Sequence, residues 1–431
     1  MQIEMRLEDK KIMQLRKANK ISQGALAEAI NSRIQNITRV ENGIAQYSDE
    51  MLMLAKDFFK IKDMPISEQE CATCKNRLYI MRDYVRDGRH KEARDICCEL
   101  ANLVILDPCD DELPMLYRLY EAILLIAERD IVSAWAKLNY IQSRLPNMNE
   151  EQLYYFNSSM GELNILLAQY EDALEYCMNA FEISEKFTDF SQYELTRLHV
   201  LVAICYTGLN FPYRAIFYVQ KNHDLYIERG TGKLGLTSDL TLAINYIMVN
   251  NLKESERLLS TCLTRAMSIK DQLRTGISNQ YIGFLHMKAR NWQTAIDYFN
   301  TALTHFTKDS RQYMDALYYK IRTVAGSRKF AKAKKLLSET KQLYINSEVF
   351  SPKFEALSHY VTLSSRISLY NDESAEYIEH VAIPHFEKIC EYFEAIDYYK
   401  LLEAYYEVKN NKKSLLMAMA IRRIYERCLF H

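Results

Sequence analysis

The sequence predicts an all-α protein in which a small N-terminal helical domain is followed by an array of helical hairpins. Glycine (11 residues) and proline (7 residues) are too few for a turn-rich β architecture in a chain of 431 residues. Two short amphipathic helices can be read within residues 21–43. Small residues then recur about every 40 positions along the rest of the chain, which is typical of a helical solenoid.

The formal charge is distributed unevenly along the chain. Residues 6–43 carry eight basic and four acidic side chains, a balance of +4, so the rest must carry −5 to give the net charge of −1. A basic head on a mildly acidic body indicates that contact with a polyanion is confined to the N-terminal domain. We therefore expect double-stranded DNA as a partner.

The head is predicted to contain two helices that meet at a tight turn. The first starts after Ser22, a favourable N-cap, and runs to Ile30. The second is predicted over Arg33–Asn42, with Gly43 after its C-cap. Ala27 is small enough for the two backbones to approach each other.

The exposed face of the second helix carries side chains that can read DNA. Amide groups pair with adenine, guanidinium groups pair with guanine, and an aliphatic group can touch a thymine methyl. Gln23, at the start of the first helix, is expected to meet a phosphate there. The predicted DNA-binding residues are Gln23, Arg33, Ile34, Gln35, Asn36, Thr38 and Arg39.

The segment Ile21–Gly43 resembles, without a gap, the Xre/Cro-like phage-repressor helix-turn-helix family. The matching pattern is I-S-Q-x-x-L-A-x-x-I followed by I-x-R-V-E-N-G. The resemblance implies that the second helix enters the major groove. Arg33 and Ile34 depart from the small polar or basic residues usual there, which leaves the base preference open. With a further helix capped by Ser48, the DNA-binding domain is expected over residues 1–62, followed by a linker over 63–72.

The remaining residues, 73–431, are predicted to form a repeat domain for ligand binding and dimerisation. Each repeat has two helices, with a small residue early in the second, and successive small residues are 38 to 42 positions apart. These residues are Ala93, Ala134, Ala173, Ala215, Ser255, Ala295, Ala333, Ser374 and Ser414.

Two repeats show a finer pattern. Gly283 lies twelve residues before Ala295 and Trp292 lies three before it, and the repeat around Ala173 follows the same scheme. We interpret the small residues as contact points of paired helices and the aromatic residue as a plug between hairpins. These units resemble tetratricopeptide repeats, stretched from the usual 34 residues to about 40. The resemblance implies a right-handed superhelix of about nine hairpins, with the first helices on its inner wall.

Polar residues on the first helices are predicted to line a peptide-binding groove. Amides pair with a peptide backbone, guanidinium groups pair with carboxylates, and aliphatic pockets hold side chains. The alternative is that these residues only solvate a concave surface or pair with one another. The predicted peptide-binding residues are Arg197, Asn245, Asn279, Gln280, Lys288, Asp315, Tyr318, Arg322, His359, Arg366, Tyr399 and Glu403.

No cofactor, metal or catalytic site is expected. The C-x-x-C at Cys71–Cys74 lacks the converging ligands of a zinc site and the setting of a redox motif. The stretch Gly230–Gly235 matches G-x-G-x-x-G, but it follows a helix and not a strand, so we interpret it as an interhelical loop. Met1–Lys11 is charged and lacks the apolar stretch of a signal peptide, which favours the cytoplasm.

A phage-repressor-like head joined to such repeats resembles the peptide-pheromone receptors of Gram-positive bacteria, the Rap, Rgg, NprR, PlcR and PrgX group. The length is closest to the NprR-like branch. The resemblance implies a cytoplasmic quorum-sensing transcriptional regulator whose repeat domain binds a short signalling peptide. A homodimer on a near-palindromic operator is expected, since one head buries too little DNA for specific affinity. The alternative is an adaptor that sequesters a protein such as a response regulator. An enzyme is the weakest hypothesis.

Overall fold

The computed structural model describes residues 7–59, 68–103, 112–143, 148–186, 190–221, 232–348, 350–366, 371–389 and 391–430. Within these ranges every regular element is a helix and there is no β-strand, so the predicted all-α fold is confirmed. The chain divides into two compact units. One comprises Met1–Leu163 and Asn179–Phe187, and the other comprises Asn164–Met178 and Thr188–His431.

The first 59 residues contain the predicted head. Its helices are α1 (Leu7–Ala18), α2 (Gln23–Ala29), α3 (Ile34–Glu41) and α4 (Asp49–Phe58). Apolar residues at helical spacing are buried on one side of each helix. The buried core includes Ile12, Leu26, Ala27, Ile30, Ile37, Val40 and Tyr47.

The caps of the head follow the sequence closely. The Ser22 and Ser48 hydroxyls each accept a hydrogen bond from the backbone N–H three residues later, at 3.1 and 3.3 Å. Gly43 has a φ of +67°, the left-handed conformation that ends α3. Arg33 has extended backbone and precedes α3. The second helix is therefore one residue shorter at each end than predicted.

The repeat body begins at Glu68. Most of the expected linker over 63–72 lies outside the described residues, but residues 68–72 are the first turn of α5. The helices are α5 (Glu68–Arg86), α6 (His90–Leu103), α7 (Glu112–Ala127), α8 (Ile131–Gln142), α9 (Glu150–Leu166), α10 (Tyr170–Lys186), α11 (Gln192–Gly208), α12 (Pro212–Gln220), α13 (Gly232–Met248), α14 (Leu252–Ser268), α15 (Gln272–Lys288), α16 (Trp292–Thr304), α17 (Arg311–Gly326), α18 (Phe330–Tyr344), α19 (Phe350–Arg366), α20 (Asp372–Tyr377), α21 (Ile383–Lys388), α22 (Tyr392–Val408) and α23 (Lys412–Phe430).

The repeat period inferred from small residues is confirmed. The eight positions from Ala93 to Ser374 are at most 3% exposed, and each lies in the first turn of the second helix of a hairpin. Ser414, in the last hairpin, is half-buried. A larger side chain at these positions would push paired helices apart, which is why the period appears in the sequence.

Aromatic residues fill the space between successive hairpins, as interpreted from the sequence. A Cβ at Gly326 would lie 2.9 Å from the Trp292 ring, and one at Gly208 would lie 2.4 Å from the Tyr170 ring. Gly283 instead faces Phe299 within its own hairpin, where a Cβ would be 3.1 Å from the ring. Glycine is thus required where a ring of one hairpin lies against the first helix of the next.

Substituting Gly208 by alanine is expected to lower the free energy of unfolding by about 1–3 kcal/mol, because the Tyr170 ring must move out of its packed position. Urea denaturation followed by circular dichroism measures the loss. The control is Lys334→Ala on the exposed side of α18, which should leave the midpoint unchanged. Equal midpoints for Gly208→Ala and wild type would contradict this packing.

Two details differ from the sequence interpretation. Gly232 and Gly235, read as part of a loop, belong to the start of α13, while residues 230 and 231 lie outside the described part. Between α20 and α21 the helix passes through a π-helical turn, Ile378–Ala382, just before Pro384. Proline cannot donate to the carbonyl four residues earlier, and the wider turn accommodates the missing hydrogen bond.

Candidate functional site

Most of the predicted DNA-reading side chains lie on the open face of α3. Gln35, Asn36 and Arg39 are exposed, and Ile34 is 55% exposed although it is aliphatic. Arg33 is also exposed, in the turn before the helix. This face combines the donors, acceptors and aliphatic group that base edges in a major groove require.

The other two predicted residues take part in a hydrogen-bonded network under that face. Gln23 Nε2 donates to Glu41 Oε2 (2.7 Å), and the Thr38 hydroxyl donates to Gln23 Oε1 (3.1 Å). Arg16 pairs with the same carboxylate, with Nε 2.6 Å from Glu41 Oε1. Burial alone would raise the pKa of Glu41, but the hydrogen bonds from Arg16 and Gln23 hold it below its usual value. The network fixes α2 against α3 and uses one amide N–H of Gln23 inside the domain.

A cavity of about 360 Å³ opens among the first helices of the hairpins in the second unit, a size usual for small-ligand sites. Its apolar lining comes from α11, α13 and α15, with Ile204, Ile244, Ile247, Met248 and Phe284. Its charged lining comes from α17, α19 and the start of α22, with Arg311, Asp315, Lys353, Glu391 and Glu394. The cavity therefore offers both an apolar and an ionic surface to a ligand.

The charged lining contains a ladder of alternating sign. The ammonium of Lys353 lies 2.8 Å from Glu391 Oε1 and 3.5 Å from Asp315 Oδ1. These residues are separated by 38 positions in each step, one repeat length, so they come from equivalent places in three hairpins. Although burial disfavours an ammonium, the two carboxylates raise the pKa of Lys353 above its usual value. Lys353 therefore remains charged.

A second ionic network ties α17 to α22 beside the cavity. The Arg322 guanidinium donates hydrogen bonds to Glu394 and Asp397, and the Tyr318 hydroxyl donates to Glu394 Oε2 at 2.7 Å. Arg322 and Glu394 are both at most 6% exposed. Lys288 lies 3.9 Å from Asp397. Two predicted groove residues, Tyr318 and Arg322, thus hold hairpins together.

The spacing of these residues explains how α17 reaches α22 past the intervening helix. Ala356 lies 38 positions after Tyr318 and 38 before Glu394, so it occupies the equivalent place on α19. Ala356 is fully buried. We infer that its small side chain leaves room for the Tyr318 hydroxyl to meet Glu394.

This network gives the repeat body a pH dependence. Burial alone would raise the pKa of Asp397, but Arg322 and Lys288 lower it to about 2 from its usual 3.8. A carboxyl whose pKa is depressed by folding contributes stability that is complete above its unfolded pKa and is lost as the pH falls through the folded value. The contribution of Asp397 should therefore disappear between about pH 4 and pH 2.

Asp397→Asn is accordingly expected to lower the free energy of unfolding at pH 7 by about 2 kcal/mol, and the gap to wild type should close towards pH 2. Urea denaturation at several pH values measures the gap. If the variant and wild type differ in free energy of unfolding by the same amount at pH 7 and pH 2, folding does not depress the pKa of Asp397.

Two amide side chains are buried next to the apolar part of the cavity. Asn245 donates through Nδ2 to Thr207 Oγ1 and to the Thr241 carbonyl, each at 2.7 Å, and both threonines line the cavity. Its Oδ1 is buried without a hydrogen-bond partner among the described residues. The same holds for Oε1 of Gln280, which lines the cavity. Such acceptors are costly to leave unpaired and favour a ligand that brings N–H donors.

The structure brings five of the predicted groove residues to the cavity or its ionic network. These are Gln280, Lys288, Asp315, Tyr318 and Arg322. Asn245 and Asn279 are buried beside them, and Asn279 Nδ2 donates to the Thr275 carbonyl of its own helix at 2.8 Å. The ammonium of Lys288 lies 5.3 and 5.5 Å from the ring centroids of Phe284 and Phe393.

Other predicted groove residues contact neighbours outside the cavity lining. Arg197 lies 3.9 Å from Glu194, and the His359 ring stacks on Tyr377 with centroids 4.0 Å apart. The Tyr399 hydroxyl donates to Glu387 at 3.2 Å, while Glu403 pairs with Arg422 at 2.6 Å. The side chain of Arg366 lies outside the described residues. The position of a residue within its repeat predicts the helix face on which it lies. Whether that face lines a cavity depends on how the neighbouring helices pack.

Sequence reasoning missed Arg311, Lys353, Glu391 and Glu394. The sequence does contain a signal for Lys353 and Glu391. Asp315, Lys353 and Glu391 form a series of acid, base and acid with a constant spacing of 38 residues. Glu391 was harder to find because it precedes α22, in a turn that the helical pattern does not cover.

The fold defines a class of protein with a helix-turn-helix head and a body of tetratricopeptide-like hairpins. The helix-turn-helix family model HTH_3 matches residues 12–62. The transcriptional activator NprA of Geobacillus stearothermophilus is 22% identical over 399 residues, which cover 90% of this chain and 95% of NprA.

Solved structures show the same fold. NprR in complex with its cognate peptide NprX is 18% identical, with a TM-score of 0.62 over 80% of this chain and 99% of that one. A Rap protein complexed with competence and sporulation factor is 16% identical, with a TM-score of 0.71 over 83% of this chain and 99% of that one. The chain is therefore similar in fold to NprR and to Rap proteins. No helix in the described part of the chain has the length and hydrophobicity of a membrane-spanning segment.

Proposed function

We propose that this chain is a cytoplasmic quorum-sensing transcriptional regulator that binds DNA through α3 and is controlled by a short peptide in the cavity of the repeat body. The cavity carries the peptide part of the proposal. It combines apolar walls, a charged ladder and the polar side chain of Gln280, and Asn245 is buried behind the lining residues Thr207 and Thr241. A peptide supplies backbone N–H donors and side chains for all three kinds of surface.

The DNA part of the proposal rests on the open face of α3. The Arg16–Glu41–Gln23 network and the Ser22 cap hold the two helices in one arrangement, so the exposed side chains are preorganised. The excess of positive charge in this domain favours a polyanion. The transcriptional activator NprA is similar over 90% of the length of this chain, which includes residues of both the head and the repeats.

Peptide control requires that the ligand binds two states of the protein with different affinity. We propose a homodimer whose two heads contact the half-sites of a near-palindromic operator. Occupancy of the cavity then changes the dimer geometry or the oligomeric state, and with it the affinity for DNA.

Native mass spectrometry of the full chain, purified from its own host, tests the proposal. We expect an added mass of about 500–1,000 Da, the size of a short peptide, on some molecules, and its sequence by fragmentation. Adding that synthetic peptide should change the apparent affinity for selected duplex DNA by about 5- to 150-fold. If the full chain retains no peptide and DNA affinity is insensitive to the host's peptide fraction, the proposal is wrong.

A further inference from the structure

We propose that Ile34 makes the head selective for a base pair that carries a 5-methyl group in the major groove, as thymine and 5-methylcytosine do. This inference rests on the proposed function, because it concerns the DNA that α3 reads. It assigns a base preference to a position at which small polar or basic residues are usual in the helix-turn-helix family that the head resembles.

Ile34 is an apolar side chain on a face of α3 that is otherwise polar. It is the first residue of the helix and is 55% exposed, and its exposed neighbours on this face are Gln35, Asn36 and Arg39. When such a helix lies in the major groove, its N-terminal residues contact the base edges. Ile34 is therefore placed to meet a base edge in the proposed complex.

The side chain of Ile34 packs against the start of α2. Its Cδ1 atom lies 3.5 Å from the point at which Gly24 would carry a Cβ, an ordinary van der Waals distance. Because Gly24 has no side chain, its position adds no atom that covers Ile34. Both residues line an open depression between α2 and α3, together with Ser32 and Gln35. A group of the size of a methyl can therefore reach Ile34 from the side on which DNA binds.

A base edge in the major groove offers an isoleucine only one favourable contact. Each base pair presents hydrogen-bond donors and acceptors there, and thymine adds an apolar C5-methyl group. Isoleucine neither donates nor accepts a hydrogen bond, so a polar edge held against it loses water without compensation. The methyl group loses no hydrogen bond and gains an apolar contact. 5-Methylcytosine carries the same group at the same place.

Thr38 is the other predicted DNA-reading residue that carries a methyl group, but it is less accessible. It is half-buried, and its hydroxyl lies within hydrogen-bond distance of the Ile34 carbonyl oxygen (3.0 Å) and of Gln23 Oε1 (3.1 Å). These contacts hold its side chain towards α2. The selectivity for a methyl group is therefore assigned to Ile34.

The test uses the full chain and duplex DNA that it selects from a random pool. Each thymine of that duplex is replaced in turn, in both half-sites, by deoxyuridine, which removes only the C5-methyl group. Affinity is measured by electrophoretic mobility shift at fixed salt. At one thymine position the replacement should weaken binding by wild type about fourfold for each half-site, or about 15-fold for both. Cytosine at that position should bind more tightly when it is 5-methylated, by the same factor.

Ile34→Ala should bind the thymine and deoxyuridine duplexes with equal affinity, and its binding also shows that the variant is folded. The control, Ile44→Ala, removes another exposed isoleucine of the head, located after α3, and should keep the wild-type preference. Equal affinity of wild type for every thymine duplex and its deoxyuridine partner, or an unchanged preference in Ile34→Ala, would overturn the inference and leave DNA binding intact. If the full chain selects no duplex with or without the host's peptide fraction, the DNA part of the proposed function is wrong, and this inference with it.

Discussion

Replacing Arg322 by alanine is expected to lower the free energy of unfolding of the repeat body by about 3–5 kcal/mol. The guanidinium is at most 6% exposed and pairs with two carboxylates, Glu394 and Asp397. Removing it leaves the buried Glu394 without its cation, and the cost of that uncompensated charge dominates the effect. Because Glu394 also lines the cavity, the variant should lose peptide retention as well.

Two further variants separate the loss of charge pairing from the loss of side-chain bulk. Arg322→Met combined with Glu394→Gln removes both charges at similar volume, so it should be more stable than Arg322→Ala. Lys335→Ala removes one member of an exposed pair on α18, where Lys335 Nζ lies 3.8 Å from Glu339, and should have almost no effect. Urea denaturation of all three forms gives the comparison. A loss of less than about 1 kcal/mol in Arg322→Ala would mean that water replaces the guanidinium at little cost.

The double substitution Gln35→Ala and Arg39→Ala is expected to reduce affinity for sequence-specific DNA by about 100-fold or more, because each bidentate base contact contributes about 1–3 kcal/mol. Both side chains are exposed on α3, while Ile37 and Val40 on the opposite face form the core. The domain should therefore keep its fold. The probe is duplex DNA that wild type selects from a random pool, measured by electrophoretic mobility shift at fixed salt.

Lys335→Ala is also the control for DNA binding, because it removes one positive charge, as Arg39→Ala does, but from the repeat body. It should bind the selected DNA as wild type does. Circular dichroism checks that the double variant is still helical. If the double variant binds the selected DNA with wild-type affinity, α3 is not the DNA-reading element.

Much of the head could be predicted from the sequence because its determinants are local. Ser22 and Ser48 cap helices that begin within three residues of them, and Gly43 ends α3 in a left-handed conformation. The exposed face of α3 follows from helical spacing alone, since Ile37 and Val40 must point inward. The repeat period was equally accessible, because a buried small residue such as Ala295 is needed once in every hairpin.

The internal pairing of polar residues could not be predicted in the same way. Gln23 was expected to meet a phosphate, yet one of its amide N–H groups is held by Glu41, 18 residues away. Tyr318 and Arg322 were assigned to the groove by repeat phase, but both are held by Glu394. The position of a residue within its own helix predicts the direction in which its side chain points. It does not predict which side chain from another helix contacts it.

The helices, their caps and the exposed face of α3 could be predicted from the sequence, since each depends on residues within one or two turns of each other, and the period of the hairpins could be predicted from the recurrence of small residues. Which charged side chains meet in the cavity depends instead on tertiary packing. Asp315, Lys353 and Glu391 come from three hairpins, 38 residues apart at each step, and Arg322 reaches Glu394 72 residues away. Such contacts depend on how each hairpin rotates against the next, and that rotation results from packing of the whole body.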